Sequence, residues 1–233
     1  MIIHRLIARH LKHRDDAEFY VLQAQDALRW IERQGVAVGP GLRVLDLGCG
    51  HGQFGGQFVA RGCEVTFGDA VNILHDEFRS QRFVEVNLDT DDYAKLGQQD
   101  LVICSNVLEH LAKPRQFLEQ AATLLRPGGH LYLSWTNWLS PWGGHDFSPF
   151  HYLGARRGVR LWSRLTGRTS DHTVFVNLFP TYIGQVLGWV RELPDLEVRR
   201  VAPRYYPEFA FLMKLPLLRE FLAWNCALLL VRR

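Results

Sequence analysis

The most constraining feature of this 233-residue chain is a glycine-rich turn that directly follows a short apolar run. Residues 44–52 read Val-Leu-Asp-Leu-Gly-Cys-Gly-His-Gly, so a β-rich stretch runs into three glycines at alternate positions. Glycine lets a ligand approach the backbone closely, and a helix that starts after such a turn aims free N–H groups at that ligand. The segment therefore predicts a nucleotide-like ligand at the carboxyl end of a first strand.

The spacing of the glycines argues against two phosphate-binding loops. A dinucleotide loop has the pattern Gly-x-Gly-x-x-Gly, and Gln53 stands where its third glycine is needed. A P-loop ends in Gly-Lys-Ser/Thr, whereas Gly52 is followed by Gln53 and Phe54. A nicotinamide enzyme is therefore the least favoured interpretation.

After an opening helical segment, the chain alternates β-rich runs with helical stretches, which is typical of a parallel sheet covered on both faces. One helix is predicted to start at Pro114, with apolar residues at helical spacing up to Leu125. The predicted strands lie at 43–47, 64–68, 83–87, 101–105, 130–136, 196–205 and 223–231.

Five motifs in this order resemble class I, Rossmann-like methyltransferases that use S-adenosylmethionine, of the type 11 or ubiquinone-biosynthesis-like group. The glycine loop has the acidic-x-Gly-x-Gly-x-Gly form, and Asp69 ends the second strand. Asn87-Leu88-Asp89 follows the third strand, 105–110 reads Ser-Asn-Val-Leu-Glu-His after the fourth, and 126–129 reads Arg-Pro-Gly-Gly before the fifth. The resemblance implies an α/β fold with a seven-stranded, mostly parallel sheet, helices on both faces and an antiparallel last strand.

The resemblance also implies roles for individual residues. Asp69 would accept hydrogen bonds from both ribose hydroxyls, and Asn87 and Leu88 would contact the adenine. The cofactor residues implied in this way are Asp46, Gly48, Cys49, Gly50, Gly52, Phe54, Asp69, Ala70, Asn87, Leu88, Ser105 and Asn106.

The chain divides, by prediction, into an N-terminal helical cap at 1–35 and a methyltransferase domain at 36–233, with a substrate-binding insertion at about 137–180. This insertion starts with a stretch rich in Trp, His and Gly where the alternation of strands and helices lapses. The residues expected to bind the acceptor are Trp135, Trp138, Trp142, Tyr152, Arg204 and Tyr205.

Methyl transfer is an in-line displacement that mainly requires positioning, but an alcohol acceptor must also lose its proton. His145 is the leading candidate for the base, with Asp146 or His151 as the residue that orients it. His110, directly after the fourth strand, is the rival. His145, Asp146 and His151 could also be metal ligands, but no second carboxylate cluster lies nearby, so no metal is expected.

A narrower resemblance extends over nearly the full chain. The Gly-Gly-His and His-Tyr-Leu-Gly pieces at 143–145 and 151–154 are similar to a group of actinobacterial methyltransferases, mycobacterial members included, whose acceptor is unknown. That group supplies no substrate, so the expected acceptor stays a small molecule, a sugar or a lipid-linked compound, with O-methylation favoured.

Charge and cysteine content restrict the remaining classes. A net charge of +3 gives no strong attraction for nucleic acid. Methyltransferases that act on the amino groups of bases often carry an Asn/Asp-Pro-Pro-Tyr/Phe/Trp motif after the fourth strand, whereas this chain reads Ser-Asn-Val-Leu there. The four cysteines lack Cys-x-x-Cys spacing, and no signal peptide or membrane span is apparent, so a cytoplasmic protein with reduced thiols is expected. A non-catalytic relative that acts through a protein partner is the main alternative.

Two amphipathic segments suggest peripheral contact with a membrane. The N-terminal segment has a basic face made of Arg5, Arg9, Lys12 and Arg14, and for it membrane contact and packing are equally supported. For the apolar run at 209–224, packing against the sheet is the favoured interpretation.

Overall fold

The computed structural model describes residues 2–13 and 17–233. The helices are α1 (Ile3–His13), α2 (Ala17–Arg33), α3 (Gln53–Val59), α4 (Pro114–Thr123), α5 (Ala155–Thr166), α6 (Ile183–Arg191) and α7 (Pro216–Leu222). The strands are β1 (Arg43–Leu47), β2 (Glu64–Asp69), β3 (Arg82–Glu85), β4 (Gln99–Ser105), β5 (Leu125–Thr136), β6 (Leu196–Pro203) and β7 (Asn225–Arg232). Of the predicted basic face, Arg14 lies outside the described residues.

The strands form one seven-stranded sheet in the order β3-β2-β1-β4-β5-β7-β6. The pairs among β1 to β5 are parallel, whereas β7 runs antiparallel to both β5 and β6. The predicted fold is therefore confirmed. The chain leaves β1 toward β2 on one side and returns to β4 on the other, and ligands of open α/β sheets bind at the carboxyl ends of strands where the order reverses in this way.

Successive residues of the central strands bury their side chains on opposite faces of the sheet. Val44 of β1 packs in a core with α2 and α3, and the next residue, Leu45, packs in a second core with α4 and α6. Ile31 and Phe117 are fully buried on these two faces. Because helices cover both faces of the sheet, functional side chains can gather only at the ends of the strands.

Several boundaries differ from the prediction. The third strand ends at Glu85 instead of at residue 87, although Val86 N–H still donates to Asp69 O at 2.9 Å. Helix α4 begins at Pro114 as predicted but ends at Thr123, and Leu125 already belongs to β5, where it pairs with Gln99. The proline and glycines that follow Leu125 lie within an irregular part of that strand.

The segment between β5 and α6 has a small core of its own. Trp138, Phe147, Trp162 and Leu178 are buried together there. A methyltransferase domain with an insertion at 137–180 is consistent with this packing, and the assignment remains a prediction.

The apolar run at 209–224 packs against β6 at its start, but it is covered by the sheet only in part. Met213 is buried in the core beside α6, but most of the other large apolar side chains are exposed, Leu217 to 73%. The exposed set comprises Phe209, Phe211, Leu215, Leu217, Leu218, Phe221 and Leu222. Among the described helices, none is long and apolar enough to cross a membrane.

Candidate functional site

The glycine loop lies at the carboxyl end of β1 and is tied to the end of β2. The N–H groups of Gly48 and Cys49 both donate to Gly68 O, at 2.8 and 3.3 Å. Gly48 has φ +69°, and a Cβ built there would lie 2.4 Å from Cγ2 of Val107. Only glycine fits this close approach of β1 to the segment after β4.

Asp46, the acidic residue before the loop, is a buried structural carboxylate. Its Oδ2 accepts a hydrogen bond from the N–H of Gly55 in α3 at 2.7 Å. Burial raises the pKa of Asp46 to about 7, the charge of Asp69 raises it too, and the Gly55 hydrogen bond opposes the rise. Asp46 therefore holds the start of α3 against the strand, and a nearby cation would favour its charged form.

Asp69, at the end of β2, faces the same loop. Its Oδ2 accepts from the N–H of Gly50 at 2.8 Å, and its Oδ1 accepts from the N–H of Ala70 at 2.7 Å. A carboxylate has about four lone-pair positions, so two remain for further donors. A Cβ on Gly50 would meet nothing within 4 Å, so the loop borders open space beside this carboxylate. The donor and acceptor set therefore fits a ribose with two hydroxyls, as S-adenosylmethionine has.

The end of β3 supplies the neighbouring part of the site. Ala70 and Asn87 line the same surface cavity. Oδ1 of Asn87 accepts from the N–H of Asp89 at 3.0 Å, and the carbonyl of Leu88 accepts from the Tyr93 hydroxyl at 2.6 Å. The predicted adenine contacts thus lie next to the predicted ribose carboxylate.

Asn106, just after β4, hydrogen-bonds to α2 and to the residue that follows β6. Its Nδ2 donates to Oε1 of Gln23 in α2 at 2.9 Å, and its Oδ1 accepts from Nη1 of Arg204 at 3.0 Å. Its φ is +57°, a conformation that asparagine tolerates better than most residues. Arg204 is buried, and its guanidinium lies 5.2 Å from the ring of Phe54 beside the glycine loop.

Two neighbours complete this polar group. Tyr205 accepts a hydrogen bond at its hydroxyl from Nε2 of Gln23 at 3.2 Å. Ser105 is buried and shares a 2.6 Å hydrogen bond with Ser134 of β5. The cofactor residues predicted at the end of β4 and the predicted acceptor residues Arg204 and Tyr205 therefore meet in one place, where Gln23 also contributes.

Three histidines from separate segments converge beyond β4 and β5. The ring centroids of His110 and His145 are 5.2 Å apart, and His172 lies 4.6 Å from His145 and 5.7 Å from His110. We call His110, His145 and His172 the histidine cluster. Burial, together with the neighbouring imidazoles of His110 and His172, lowers the pKa of His145 to about 3. His145 is therefore neutral at physiological pH.

The candidate bases and the residues expected to orient them are arranged differently from the prediction. Asp146 orients His172 and not His145, because its Oδ1 lies 2.9 Å from Nδ1 of His172. His151 is buried with its Nε2 3.1 Å from the carbonyl of Ser140, so it holds the insertion together. No sequence motif pointed to His172, which lies 26 residues from Asp146.

His110 is fixed by a contact with the segment between β5 and α6. Its Nδ1 lies 2.6 Å from the carbonyl of Asn177. The preceding residue, Glu109, is buried and accepts the N–H of Thr136 at the end of β5 at 2.8 Å. The 3₁₀ turn Leu108–His110 thus connects the ends of two central strands to the insertion.

The aromatic residues expected to bind an acceptor lie at different depths. Trp135 is fully buried, and no described group pairs with its indole N–H. Trp138 belongs to the core of the insertion. Trp142 and Tyr152 are exposed, and the Tyr152 hydroxyl donates to the carbonyl of Leu139 at 2.9 Å. Of the four, Trp142 and Tyr152 are therefore the ones accessible to an acceptor from outside.

Known proteins resemble this chain along most of its length. A family model described as a methyltransferase domain matches residues 9–173. An uncharacterized methyltransferase of Mycobacteroides abscessus is 33% identical over 226 residues, covering 91% of this chain and 86% of the relative.

Two solved structures have the same fold. An S-adenosylmethionine-dependent methyltransferase from Mesorhizobium loti superposes with a TM-score of 0.58 at 20% identity, covering 89% of this chain and 98% of that one. Magnesium protoporphyrin IX methyltransferase from Synechocystis with bound SAH gives 0.56 at 16% identity, covering 92% and 83%. The chain belongs to the methyltransferase domain family, and its fold is that of S-adenosylmethionine-dependent methyltransferases, as its motifs predicted.

Proposed function

We propose that this methyltransferase transfers the methyl group of S-adenosylmethionine to a hydroxyl oxygen of an amphiphilic, lipid-linked acceptor. The observation that carries the proposal is the histidine cluster, which lies beyond the strands whose ends hold the residues proposed for cofactor binding. S-adenosylmethionine, when bound, supplies an electrophilic methyl group on a sulfonium. The chain's own residues must then hold the acceptor oxygen in line and deal with its proton.

The residues proposed for cofactor binding are those gathered at the ends of β1 to β4. Asp69 would accept hydrogen bonds from the ribose hydroxyls, and Asn87 and Leu88 would border the adenine. The glycine loop would lie along the remaining part of the cofactor. The buried Asp46 would carry more negative charge beside a bound sulfonium, because a nearby cation lowers a carboxyl pKa.

The cluster is chemically suited to a hydroxyl acceptor. His145 is uncharged at neutral pH, so a ring nitrogen can accept a hydrogen bond from an alcohol. His172 is held by Asp146, the arrangement that fixes the tautomer of an imidazole in many active sites. Acceptors that react at carbon need less help with a proton, so three histidines at this place favour oxygen.

A chain of aromatic rings supports an amphiphilic acceptor. Trp142, three residues before His145, lies 6.3 Å from the ring of Trp224, which lies 6.3 Å from Tyr206. From Tyr206 the chain continues to Phe209 and Phe211, at ring distances of 6.3 and 6.0 Å. These rings connect the histidine-bearing loop with the exposed apolar run at 209–222, where a lipid tail could rest.

Helix α5 supports contact with an anionic lipid surface. It contains the exposed arginines Arg156, Arg157, Arg160 and Arg164, and no acidic residue. No ion pair found among the described residues involves these four side chains. Leu161 and Leu165 are exposed on the same helix, so α5 combines positive charge with apolar side chains, as interfacial helices do.

The reaction is tested with S-adenosylmethionine that carries a deuterated methyl group and a lipid and metabolite extract. We expect mass spectrometry to find an amphiphilic product that carries one labelled methyl on an oxygen. His172→Ala should lower the rate at least about a hundredfold and change the affinity for S-adenosylmethionine by less than about twofold, because the imidazole acts on the acceptor.

The matched control is His130→Gln, since His130 lies near the middle of β5, six residues before Thr136 at its carboxyl end. This variant should react like the unaltered chain. A labelled methyl on nitrogen or carbon, or an unchanged rate in His172→Ala, would contradict the proposal.

Membrane contact is tested by sedimentation with vesicles. We expect the chain to sediment with anionic vesicles at low salt and the triple change Arg156→Gln, Arg160→Gln and Arg164→Gln to weaken binding roughly a hundredfold, at about 1 kcal/mol for each charge. The control removes the same charge elsewhere, by Arg61→Gln, Arg79→Gln and Arg115→Gln. Equal loss in both triple variants would show that only the net charge matters.

A further inference from the structure

The histidine cluster has the dimensions of a metal site. One ring nitrogen from each of His110, His145 and His172 lies within 4.8 Å of one from each of the others. The three residues come from the turn after β4, the turn after β5 and the loop before α6, so tertiary structure alone brings them together.

The outer nitrogens of two of these rings are already engaged. Nδ1 of His110 lies 2.6 Å from the carbonyl of Asn177, and Nδ1 of His172 lies 2.9 Å from Oδ1 of Asp146. Metal-bound histidines usually donate their second ring N–H to a carbonyl or a carboxylate in this manner. Nε2 of each ring is thereby left for an ion.

Asp146 is itself held in place. Its Oδ1 accepts from the Ser170 hydroxyl at 3.0 Å, and its Oδ2 accepts from the N–H of Asp171 at 3.0 Å. On His145, Nδ1 is buried and pairs with no described group. Its backbone has φ +52°, a left-handed conformation that is uncommon for residues other than glycine.

From these contacts we propose that His110, His145 and His172 bind one divalent transition-metal ion of the zinc type, leaving a fourth coordination position open. Three imidazole nitrogens suit zinc, cobalt or nickel, whereas magnesium and calcium prefer oxygen ligands. Zinc–nitrogen bonds of about 2.0–2.1 Å in a tetrahedral site place the nitrogens roughly 3.3 Å apart. Small rotations of the three side chains would bring them from their present separation to that distance.

The open position defines a role for the ion, and this step rests on the proposed function. The acceptor hydroxyl oxygen would occupy it, and the ion would stabilise the oxygen after its O–H proton passes to water. The oxygen then bonds to the methyl carbon as the carbon–sulfur bond breaks, giving a methyl ether, the demethylated cofactor and one proton. No oxidant or reductant is needed.

The site is tested by equilibrium dialysis of tag-free protein against micromolar ZnCl₂, and by visible spectra with CoCl₂. We expect one ion per chain and the intense absorption bands of tetrahedral cobalt. His110→Ala, His145→Ala and His172→Ala should each lose this binding. Asp146→Asn should bind ten- to a hundredfold more weakly, which is the usual effect of removing an outer hydrogen-bond partner of a ligand.

His130→Gln is again the matched control. It should bind zinc like the unaltered chain, because it leaves the three proposed ligands, the other histidines and the four buried cysteines unchanged. Circular dichroism must show that the variants are folded. If the histidine-to-alanine variants unfold, the zinc affinity of Asp146→Asn and the cobalt spectrum of the unaltered chain test the site instead. Absence of zinc and cobalt binding in the unaltered chain, or the same affinity in all variants, overturns the inference.

The outcomes for the ion and for the reaction can be separated. If a chelated, metal-free chain still methylates a hydroxyl at full rate, the catalytic role of the ion is wrong and the proposed function stands. If one ion binds at the cluster but the label is found on nitrogen or carbon, the metal site stands and the proposed function is wrong.

Discussion

Replacing Asp69 by alanine is expected to lower the affinity for S-adenosylmethionine at least about a hundredfold, since two hydrogen bonds to a charged group contribute roughly 1.5–3 kcal/mol each. The carboxylate also holds the N–H of Gly50 at 2.8 Å, so its loss loosens the glycine loop as well. Isothermal titration calorimetry of the purified chain measures this directly.

The control for Asp69→Ala is Glu64→Ala, which removes an exposed carboxylate from the opposite end of the same strand. It should bind S-adenosylmethionine like the unaltered chain. If both variants bind equally well, Asp69 does not contact the ribose and the cofactor lies elsewhere.

Gly143→Ala is expected to destabilise the fold by about 3 kcal/mol, because overpacking against a fixed backbone cannot be relieved by side-chain motion. A Cβ at Gly143 would lie 1.9 Å from the carbonyl oxygen of Trp138. Trp138 is held by a 3.0 Å hydrogen bond from its N–H to Thr181 O, and it belongs to the core of the insertion. Thermal unfolding should show a melting temperature lower by roughly 6–12 °C for a chain of this size.

Gly188→Ala serves as the matched control because a Cβ at Gly188, in α6, would meet nothing within 4 Å. Alanine has a higher helix propensity than glycine, so this variant should be as stable as the unaltered chain or more stable by up to about 1 kcal/mol. A melting temperature for Gly143→Ala equal to that of Gly188→Ala would mean that the turn at 138–143 moves freely.

The fold was predictable because its signals are local. The apolar run before Gly48, the proline at 114 and the alternation of strands and helices each depend on neighbouring residues, and all point to the same sheet. Boundaries were less accurate: strand β3 and helix α4 end two residues early, since hydrogen bonding to neighbouring strands sets where an element stops.

The acceptor side could be predicted only in part, because it is built from distant segments. His145 and His110 were singled out from their places after strands, but nothing near His172 in the sequence links it to Asp146. The exposure of Leu217 and its neighbours could not be predicted either, because an apolar run has the same pattern whether it faces the core or the solvent.

The contacts of Asn106 have a thermodynamic consequence for the first helices. Through this one amide, α2 and the hairpin of β6 and β7 share hydrogen bonds with the segment that follows β4. Binding free energies of coupled sites are reciprocal. A ligand that strengthens the hydrogen bond between Asn106 and Gln23 therefore stabilises α2 against local unfolding. Any contact that stabilises α2 in turn raises the affinity for that ligand by the same factor.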